Sequence, residues 1–187
     1  MFKKFYYFID NFDKKEIQNL NKNIALIYRN YNNNIKKDVL EEMICFCKKN
    51  KRDLFISNNL KIAIKYNLAG VYLPSFNKKL KYKNLNTKKN FKIIGSAHNQ
   101  SQIKIKELQG CKEIFISPIF KADKNKFFLG VIKFNFLVSK TKKKIICLGG
   151  INSNNLRKIQ LTKSAGVASI SWIKKNGPSK NLGRFKI

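Results

Sequence analysis

Short apolar runs alternate with polar or amphipathic stretches along the whole chain. The apolar runs are continuous, which is typical of parallel strands buried on both faces, and the stretches between them have helical spacing. The predicted strands are Phe5–Ile9, Ile24–Tyr28, Leu54–Ile56, Gly70–Leu73, Lys92–Gly95, Glu113–Ile116, Ile145–Leu148 and Gly166–Ile170. The predicted helices are Lys14–Asn21, Lys37–Asn50, Leu60–Asn67, Gln100–Gln109, Val131–Lys140 and Asn154–Lys163, with a short or irregular helix in Lys78–Asn90.

Strands that alternate with helices in this way predict an α/β fold, a (β/α)8 TIM barrel. The 187 residues are close to the lower limit for such a barrel, so helices and loops must be short. We expect a compact single domain over residues 1–187, with an unpacked basic tail from about Lys174. The sequence contains neither a membrane-spanning apolar stretch nor a signal-peptide layout, and we expect a cytoplasmic protein without a membrane partner.

The segment from Ile145 to Ser171 indicates a phosphate site. One apolar strand ends in Gly149-Gly150 and opens a helix, and the next strand ends in small residues before another apolar turn. Glycine lets the main chain approach an oxyanion, and a helix N-terminus supplies unpaired N–H groups. In (β/α)8 barrels the loops after strands seven and eight commonly form such a site. The alternative interpretation is a glycine-rich turn of the kind found in any α/β protein.

The net charge of +30 changes this interpretation little. Nearly all of the positive charge is lysine, scattered through every segment, and the arginines are Arg29, Arg52, Arg157 and Arg184. The high content of Lys, Asn, Ile, Phe and Tyr is typical of an AT-biased coding sequence. Proteins that read phosphates and base edges favour arginine. We therefore expect no specific nucleic-acid partner, although a basic RNA-associated protein is the alternative.

The four cysteines do not have a metal-ligand spacing. Cys45 and Cys47 lie on a predicted helix, and Cys111 and Cys147 are expected inside apolar strands. Buried, reduced thiols are the prediction for all four.

Several strand-end motifs, read in order, resemble those of the thiamine-phosphate synthase/TenI family. The resemblance covers nearly the whole chain and is strongest in its second half. The motifs that carry it are Tyr28-Arg29, Gly70-Val71-Tyr72-Leu73, Ile94-Gly95-Ser96-Ala97-His98, Ile116-Ser117-Pro118-Ile119-Phe120, Leu148-Gly149-Gly150-Ile151 and Gly166 through Ser171.

The resemblance implies a function in thiamine biosynthesis. The family's synthases are transferases that join a pyrimidine pyrophosphate to a thiazole phosphate, and Mg²⁺ helps the pyrophosphate to leave. By resemblance, the turn at Gly149 and Gly150, together with Ile170 and Ser171, would bind the phosphate of this phosphorylated small-molecule substrate. Ser96 would contact the substrate, and Arg29 would face the pyrophosphate, which suits a guanidinium group.

The sequence departs from the synthase pattern at the magnesium site. Ser57-Asn58 stand where the family has Asn-Asp, and Asn77 stands where it has its second aspartate. Neutral amides are poor ligands for magnesium, so Mg²⁺ is a possible cofactor whose usual carboxylate ligands are missing, and no metal ligand is assigned. We keep Asn58 as a candidate substrate-binding residue.

The motif after strand six also departs from the family's pattern. Both of its threonines are missing here. Lys124 or Lys126 could still reach an anion, whereas the nearby carboxylate, Asp123, does not match the family's ligand.

His98 favours a second branch of the family. TenI-type members lack synthase activity and can catalyse a proton shift in the thiazole phosphate, with a histidine after strand five as general acid/base. His98, the single histidine of the chain, occupies the matching place, although a capping or packing histidine is the alternative. Three functions therefore stay open: a synthase, a thiazole tautomerase and a non-catalytic phosphometabolite-binding paralogue. The oligomeric state is not predicted.

Overall fold

Eight parallel strands close into a barrel, which confirms the predicted fold. The computed structural model of the chain describes residues 4–30, 36–82, 85, 87–122 and 127–176. The strands are β1 (Lys4–Ile9), β2 (Ile24–Tyr28), β3 (Leu54–Ser57), β4 (Gly70–Leu73), β5 (Lys92–Ala97), β6 (Glu113–Ile116), β7 (Lys144–Leu148) and β8 (Gly166–Ser169). Each strand pairs in parallel with its neighbours in chain order, and β8 pairs with β1 through Lys4 opposite Gly166.

Among the described residues, a helix follows every strand except β4. Side-chain caps begin three of the helices: Asp13, Asn59 and Asn99 each accept a bond from a backbone N–H three residues later. In the described part of the chain, no helix combines the length and the apolar character needed to cross a membrane. The helices are α1 (Lys14–Gln18), α2 (Lys37–Lys49), α3 (Leu60–Lys65), α4 (Gln100–Leu108), α5 (Gly130–Ser139), α6 (Leu156–Ile159) and α7 (Ser171–Asn176).

The strands bury both of their faces because successive side chains point alternately into the barrel and outward against the helices. The interior is rich in aromatic rings that meet edge to face. The ring centroids of Tyr6 and Phe115 are 4.9 Å apart, and those of Phe8 and Tyr72 are 5.2 Å apart. The interior cluster contains Tyr6, Phe8, Ala25, Ile27, Phe55, Tyr72, Ile94, Phe115, Ile146 and Ala168.

A buried carboxylate connects two strands near the amino ends of the barrel. Glu113 is 2% exposed, and its carboxylate accepts hydrogen bonds from the ammonium of Lys4 and the hydroxyl of Tyr6. Burial, together with the charge of Glu113, raises the pKa of the Tyr6 hydroxyl, so that this group stays protonated and can donate. These two bonds stabilise the Glu113 carboxylate, because burying a charge without a partner would cost free energy.

Arg52 supports the carbonyl groups at the end of α1 and the start of β2. Its guanidinium donates to the carbonyl oxygens of Asn21 and Ile24 at 2.8 Å and of Leu20 at 2.9 Å. Burial lowers the pKa of Arg52. The carbonyls at a helix end have no intrahelical partner, and this one side chain supplies donors for them.

Two of the predicted helices differ from the observed elements. The segment Asn154–Lys163 forms only the short α6, because Asn152 Oδ1 accepts from the backbone N–H groups of Asn154 and Asn155 and holds them in a turn. The described residues within Lys78–Asn90 form turns and irregular backbone and no helix.

Two predictions about individual residues need correction. Lys174 does not begin an unpacked tail: it lies in α7, and its ammonium is 2.9 Å from the carboxylate of Glu16; residues 177–187 lie outside the described residues. All four cysteines are free, but Cys45 is exposed, and Cys111 precedes β6 rather than lying in a strand. Cys47, Cys111 and Cys147 are buried, as predicted.

The buried thiols should make the protein less stable in alkali. Burial raises the pKa of Cys47 to about 11 and of Cys111 and Cys147 to about 12, above the ordinary value of 9.0. Each thiol thus contributes stability that is present below pH 9.0 and is lost as the pH rises towards the folded-state pKa. In urea unfolding, Cys147→Ala should remove about 1 kcal/mol of the stability lost between about pH 8 and about pH 10.

The exposed Cys45 provides the control for this experiment. Cys45→Ala should lose as much stability between the two pH values as the unaltered protein does. An equal loss in Cys147→Ala would contradict the assignment.

Candidate active site

The candidate site residues that the structure describes lie at the carboxyl ends of the strands. Arg29 follows β2, Asn58 follows β3, and Ser96 lies near the end of β5 with His98 just beyond it. Parallel strands carry their carboxyl ends to the same side of a barrel, so these residues share one rim. Gly149 and Gly150 follow β7, and Ile170 and Ser171 follow β8. Lys124, Lys126 and Asp123 lie outside the described residues.

The diglycine turn after β7 takes a backbone shape that other residues would rarely adopt. Gly149 has a φ of +92° and Gly150 a φ of +69°. A Cβ at position 150 would lie 2.3 Å from the carbonyl oxygen of Phe120, so the turn packs directly on the loop after β6. Gly149 O accepts from the backbone N–H of Phe120 at 3.2 Å, and Gly150 O accepts from Asn155 Nδ2 at 2.7 Å. Both carbonyls therefore bond to the protein and do not face a ligand.

The end of β8 lies next to this turn. Leu148 of β7 pairs with Ala168 of β8, so the residues that follow them, Gly149 and Ser169, continue neighbouring strands. Ser169 Oγ accepts from the backbone N–H of Trp172 at 3.2 Å and fixes the start of α7. Ser171, the first residue of α7, is exposed. The two strand ends thus bring glycine backbone and a helix start together, an arrangement that can bind a phosphate through N–H groups.

The ring of His98 has a fixed tautomer. His98 Nδ1 is 2.7 Å from the carbonyl oxygen of Ser117, and 3.3 Å from the Ser117 hydroxyl. A carbonyl oxygen only accepts, so Nδ1 carries the proton in the neutral ring and Nε2 has a free lone pair. The cap of α4 is the side chain of Asn99, which accepts from Gln102 N at 3.0 Å. The imidazole is therefore not used as the helix cap, and the exposed His98 can receive a proton at Nε2.

Arg29 forms a bidentate ion pair that the sequence reasoning did not anticipate. Its Nε is 3.0 Å from Asp10 Oδ1, and its Nη2 is 2.9 Å from Asp10 Oδ2. The guanidinium also lies 5.3 Å from the ring centroid of Phe8. Asp10 and Arg29 follow Ile9 and Tyr28, which pair between β1 and β2, so strand register offered a signal for this contact. The pair fixes the guanidinium through Nε and Nη2, and Nη1 takes no part in it.

Asn58 and Asn77, which stand at the positions of the family's aspartates, contact each other. Asn77 Nδ2 donates to Asn58 Oδ1 at 2.6 Å and to the Tyr82 hydroxyl at 3.0 Å. Asn77 is buried, whereas Asn58 is exposed and has a φ of +56°. In the described part of the chain, no three His, Cys, Asp or Glu side chains form a group that could hold a metal ion. Neutral amides bonded to each other do not suit magnesium, so these residues do not fit the family's metal site.

Lys106 is a buried residue of this region that sequence reasoning missed. It extends from α4 and donates to the carbonyl oxygens of Pro74 at 2.8 Å and of Asn77 at 2.9 Å. It is fully buried, and burial lowers its pKa to about 8. A Cβ at Gly95 would lie 2.9 Å from Lys106 Cδ, so this glycine makes room for the lysine, a relation that appears only in the fold.

Comparisons with known proteins agree with the fold and with the strand-end motifs. The family model described as thiamine monophosphate synthase matches residues 16–173. A thiamine-phosphate synthase of the bacterium Prochlorococcus marinus is 31% identical over 142 residues, which cover 71% of this chain and 38% of that protein. The same enzyme of another strain is 30% identical over 163 residues, or 82% of this chain and 41% of that protein. The chain spans about two fifths of the length of these curated relatives.

A solved structure agrees with the barrel. The thiamine phosphate pyrophosphorylase from Pyrococcus furiosus superposes with a TM-score of 0.72, over 91% of this chain and 87% of that chain. The two sequences are 18% identical, and at this level the likeness supports the fold.

The packing of the diglycine turn can be tested by adding a methyl group. Gly150→Ala should destabilise the fold, because the new Cβ would meet the backbone of Phe120 and Lys121, which cannot move as a flexible side chain would. The loss measured by urea unfolding should be about 2 kcal/mol or more.

Gly130→Ala is the matched control for this substitution. Gly130 has nearly the same φ, +66°, but its added Cβ would have no atom within 4 Å. Gly130→Ala should lower the free energy of unfolding by only about 1 kcal/mol, because alanine rarely adopts a positive φ but meets no other atom here. Equal losses in the two variants would contradict the close approach at Gly150.

Proposed function

Since the chain belongs to the thiamine monophosphate synthase family, we propose that it joins a pyrimidine pyrophosphate to a thiazole phosphate. The observation that carries this proposal is the pairing of the diglycine turn with the end of β8. The phosphate of the thiazole would bind to the N–H groups of Gly150, Ile170 and Ser171, since the glycine carbonyls are bonded elsewhere.

Other strand ends of the same rim would supply groups for the pyrophosphate. Arg29 is fixed by Asp10 and offers Nη1, and Ser96 lies near the end of β5 between the two halves of the site. In the reaction, the bond from the pyrimidine methylene carbon to the pyrophosphate oxygen breaks, and pyrophosphate leaves with the electron pair. The thiazole nitrogen then forms the new C–N bond. The protein's contribution is to orient the two substrates and stabilise the negative charge of the leaving group.

The geometry of His98 favours a second candidate, a thiazole phosphate tautomerase. The bond from Nδ1 to the carbonyl of Ser117 leaves Nε2 as the proton acceptor. A general acid/base must take a proton from one position of the substrate and return it to another, and an imidazole can do both near neutral pH. The same phosphate site would hold the substrate in either reaction.

We propose that the protein acts in the cytoplasm and binds a phosphorylated small molecule. The charge of +30 would attract such an anion from a distance. Specific nucleic-acid recognition is not part of the proposal, because the lysines are distributed over the whole sequence.

The transferase activity is tested by mixing both substrates with the protein in the presence of Mg²⁺ and measuring thiamine phosphate. We expect product formation, and Ser171→Asp should raise the KM for the thiazole phosphate about 10-fold or more through charge repulsion. The KM for the pyrimidine pyrophosphate should not change.

Ser139→Asp adds the same charge at the end of α5, where the polypeptide returns to the amino ends of the strands, and should leave both KM values unchanged. If no thiamine phosphate forms even at high enzyme concentration, the transferase proposal is rejected.

The role of His98 is tested in a tautomerase assay with the thiazole phosphate. His98→Ala should lower kcat about 100-fold or more, because the group that transfers the proton is lost. Ser117→Ala is the control: it removes the 3.3 Å hydroxyl contact and keeps the carbonyl that fixes the tautomer, so kcat should change little. Equal rates in His98→Ala and the unaltered protein would exclude the proton-transfer role.

A further inference from the structure

A series of hydrogen bonds leads from Lys106 through Gln109 and Asn77 to Asn58. An ammonium group can only donate, so the contact from Lys106 Nζ to Gln109 at 2.9 Å identifies the accepting atom as Oε1. The other end of the Gln109 amide is then Nε2. It donates at 2.9 Å to the carbonyl oxygens of Asn77 and Lys79. The orientation of this buried amide is thus determined by its partners.

The orientation of the Asn77 amide is also determined by a partner that can only donate. The backbone N–H of Lys79 donates to Asn77 Oδ1 at 3.0 Å, and a backbone N–H can only donate. Asn77 Nδ2 must therefore point the other way, where it meets Asn58 Oδ1 at 2.6 Å. The side chain is 7% exposed and cannot turn around without breaking several buried bonds.

Asn58 is consequently held with its oxygen towards the protein. Its Oδ1 accepts from Asn77, and its exposed end is the Nδ2 amide, which carries two N–H donors. The preceding residue, Ser57, is 4% exposed, and in the described part of the chain its Oγ has no hydrogen-bond partner. Ser57 lies on the same side of β3 as Phe55, whose ring packs inside the barrel. The end of β3 thus combines amide donors with an unsatisfied hydroxyl group.

We propose that Asn58, positioned by Asn77, donates hydrogen bonds directly to a phosphoryl oxygen of a pyrophosphate group, without a divalent cation between them. The inference rests on the proposed function for the class of ligand, and it concerns how this part of the rim binds an anion. A metal ligand must present an oxygen lone pair, whereas Asn58 presents hydrogen atoms. An anionic oxygen is the partner that such donors suit, and Arg29 lies on the adjacent strand end with a free guanidinium edge.

The proposal is tested by calorimetric titration of the full chain with inorganic pyrophosphate, once with EDTA and once with Mg²⁺. We expect binding in EDTA with a Kd within about 3-fold of the value in Mg²⁺, since neutral and guanidinium donors bind the anion directly. Asn58→Asp should weaken binding in EDTA about 10-fold or more, because a carboxylate repels the ligand.

Asn90→Asp is the matched control for the added charge. Asn90 is exposed and lies just before β5, at the amino end of the strand, so this variant should bind pyrophosphate as the unaltered protein does. Equal weakening in Asn58→Asp and Asn90→Asp would mean that the lysine-rich surface alone binds the ligand, and it would overturn the proposal.

A second variant tests the positioning role of Asn77. In Asn77→Asp both side-chain oxygens accept, so Asn58 should turn its Nδ2 inward and its Oδ1 outward. The end of β3 would then suit a cation, and pyrophosphate binding should become dependent on Mg²⁺. Loss of folding alone would not produce such a metal dependence.

Two results for the unaltered protein would overturn the inference: no pyrophosphate binding in either buffer, or binding that needs Mg²⁺. Both are independent of the transferase assay. A protein that binds pyrophosphate in EDTA yet forms no thiamine phosphate would reject the proposed reaction and keep the anion site.

Discussion

The closure of β8 onto β1 is the constraint on which the rest of the structure depends. It places eight strand ends on one rim and fixes which of them are neighbours: β7 beside β8, β5 beside β6, and β1 beside β2. Each part of the site joins two such neighbours. The diglycine turn meets the end of β8, His98 bonds to Ser117, and Arg29 pairs with Asp10. A chain this short has few loop residues with which to build a site, so contacts between adjacent strand ends provide most of it.

The strands and the order of the rim residues were predictable because they depend on local patterns. Continuous apolar runs identified all eight strands to within two residues at either end. Polar contacts between distant residues leave no such pattern. Nothing in the sequence around Lys106 separates it from the many exposed lysines, and only the fold shows that it reaches the carbonyls after β4. The predicted helix from Asn154 was too long for a related reason: the asparagines favour turns as strongly as the spacing favours a helix.

The candidate anion site consists mainly of neutral donors, although the chain has a large excess of lysine. Among the described residues, the candidate contacts are backbone N–H groups, amide and hydroxyl side chains, one histidine and one arginine. Lys106 is buried among neutral acceptors, where its charge orders the loop after β4. The net charge therefore acts on an anion at long range, whereas the donors of the candidate site act only at hydrogen-bond distance. Scattered lysines would attract anions from a distance, whereas the fixed donors would select the geometry of the anion that binds.

The space next to Gly95 limits the residues that positions 95 and 106 can hold. A Cβ at this position would meet the carbonyl oxygen of Leu73 as well as Lys106, each at 2.9 Å, so the strand packing requires glycine with or without the lysine. Shortening Lys106 would therefore not make room for a side chain at position 95, because the carbonyl oxygen of Leu73 would still be in the way. The strand packing itself thus requires glycine at position 95, whereas Lys106 depends on the space that this glycine leaves.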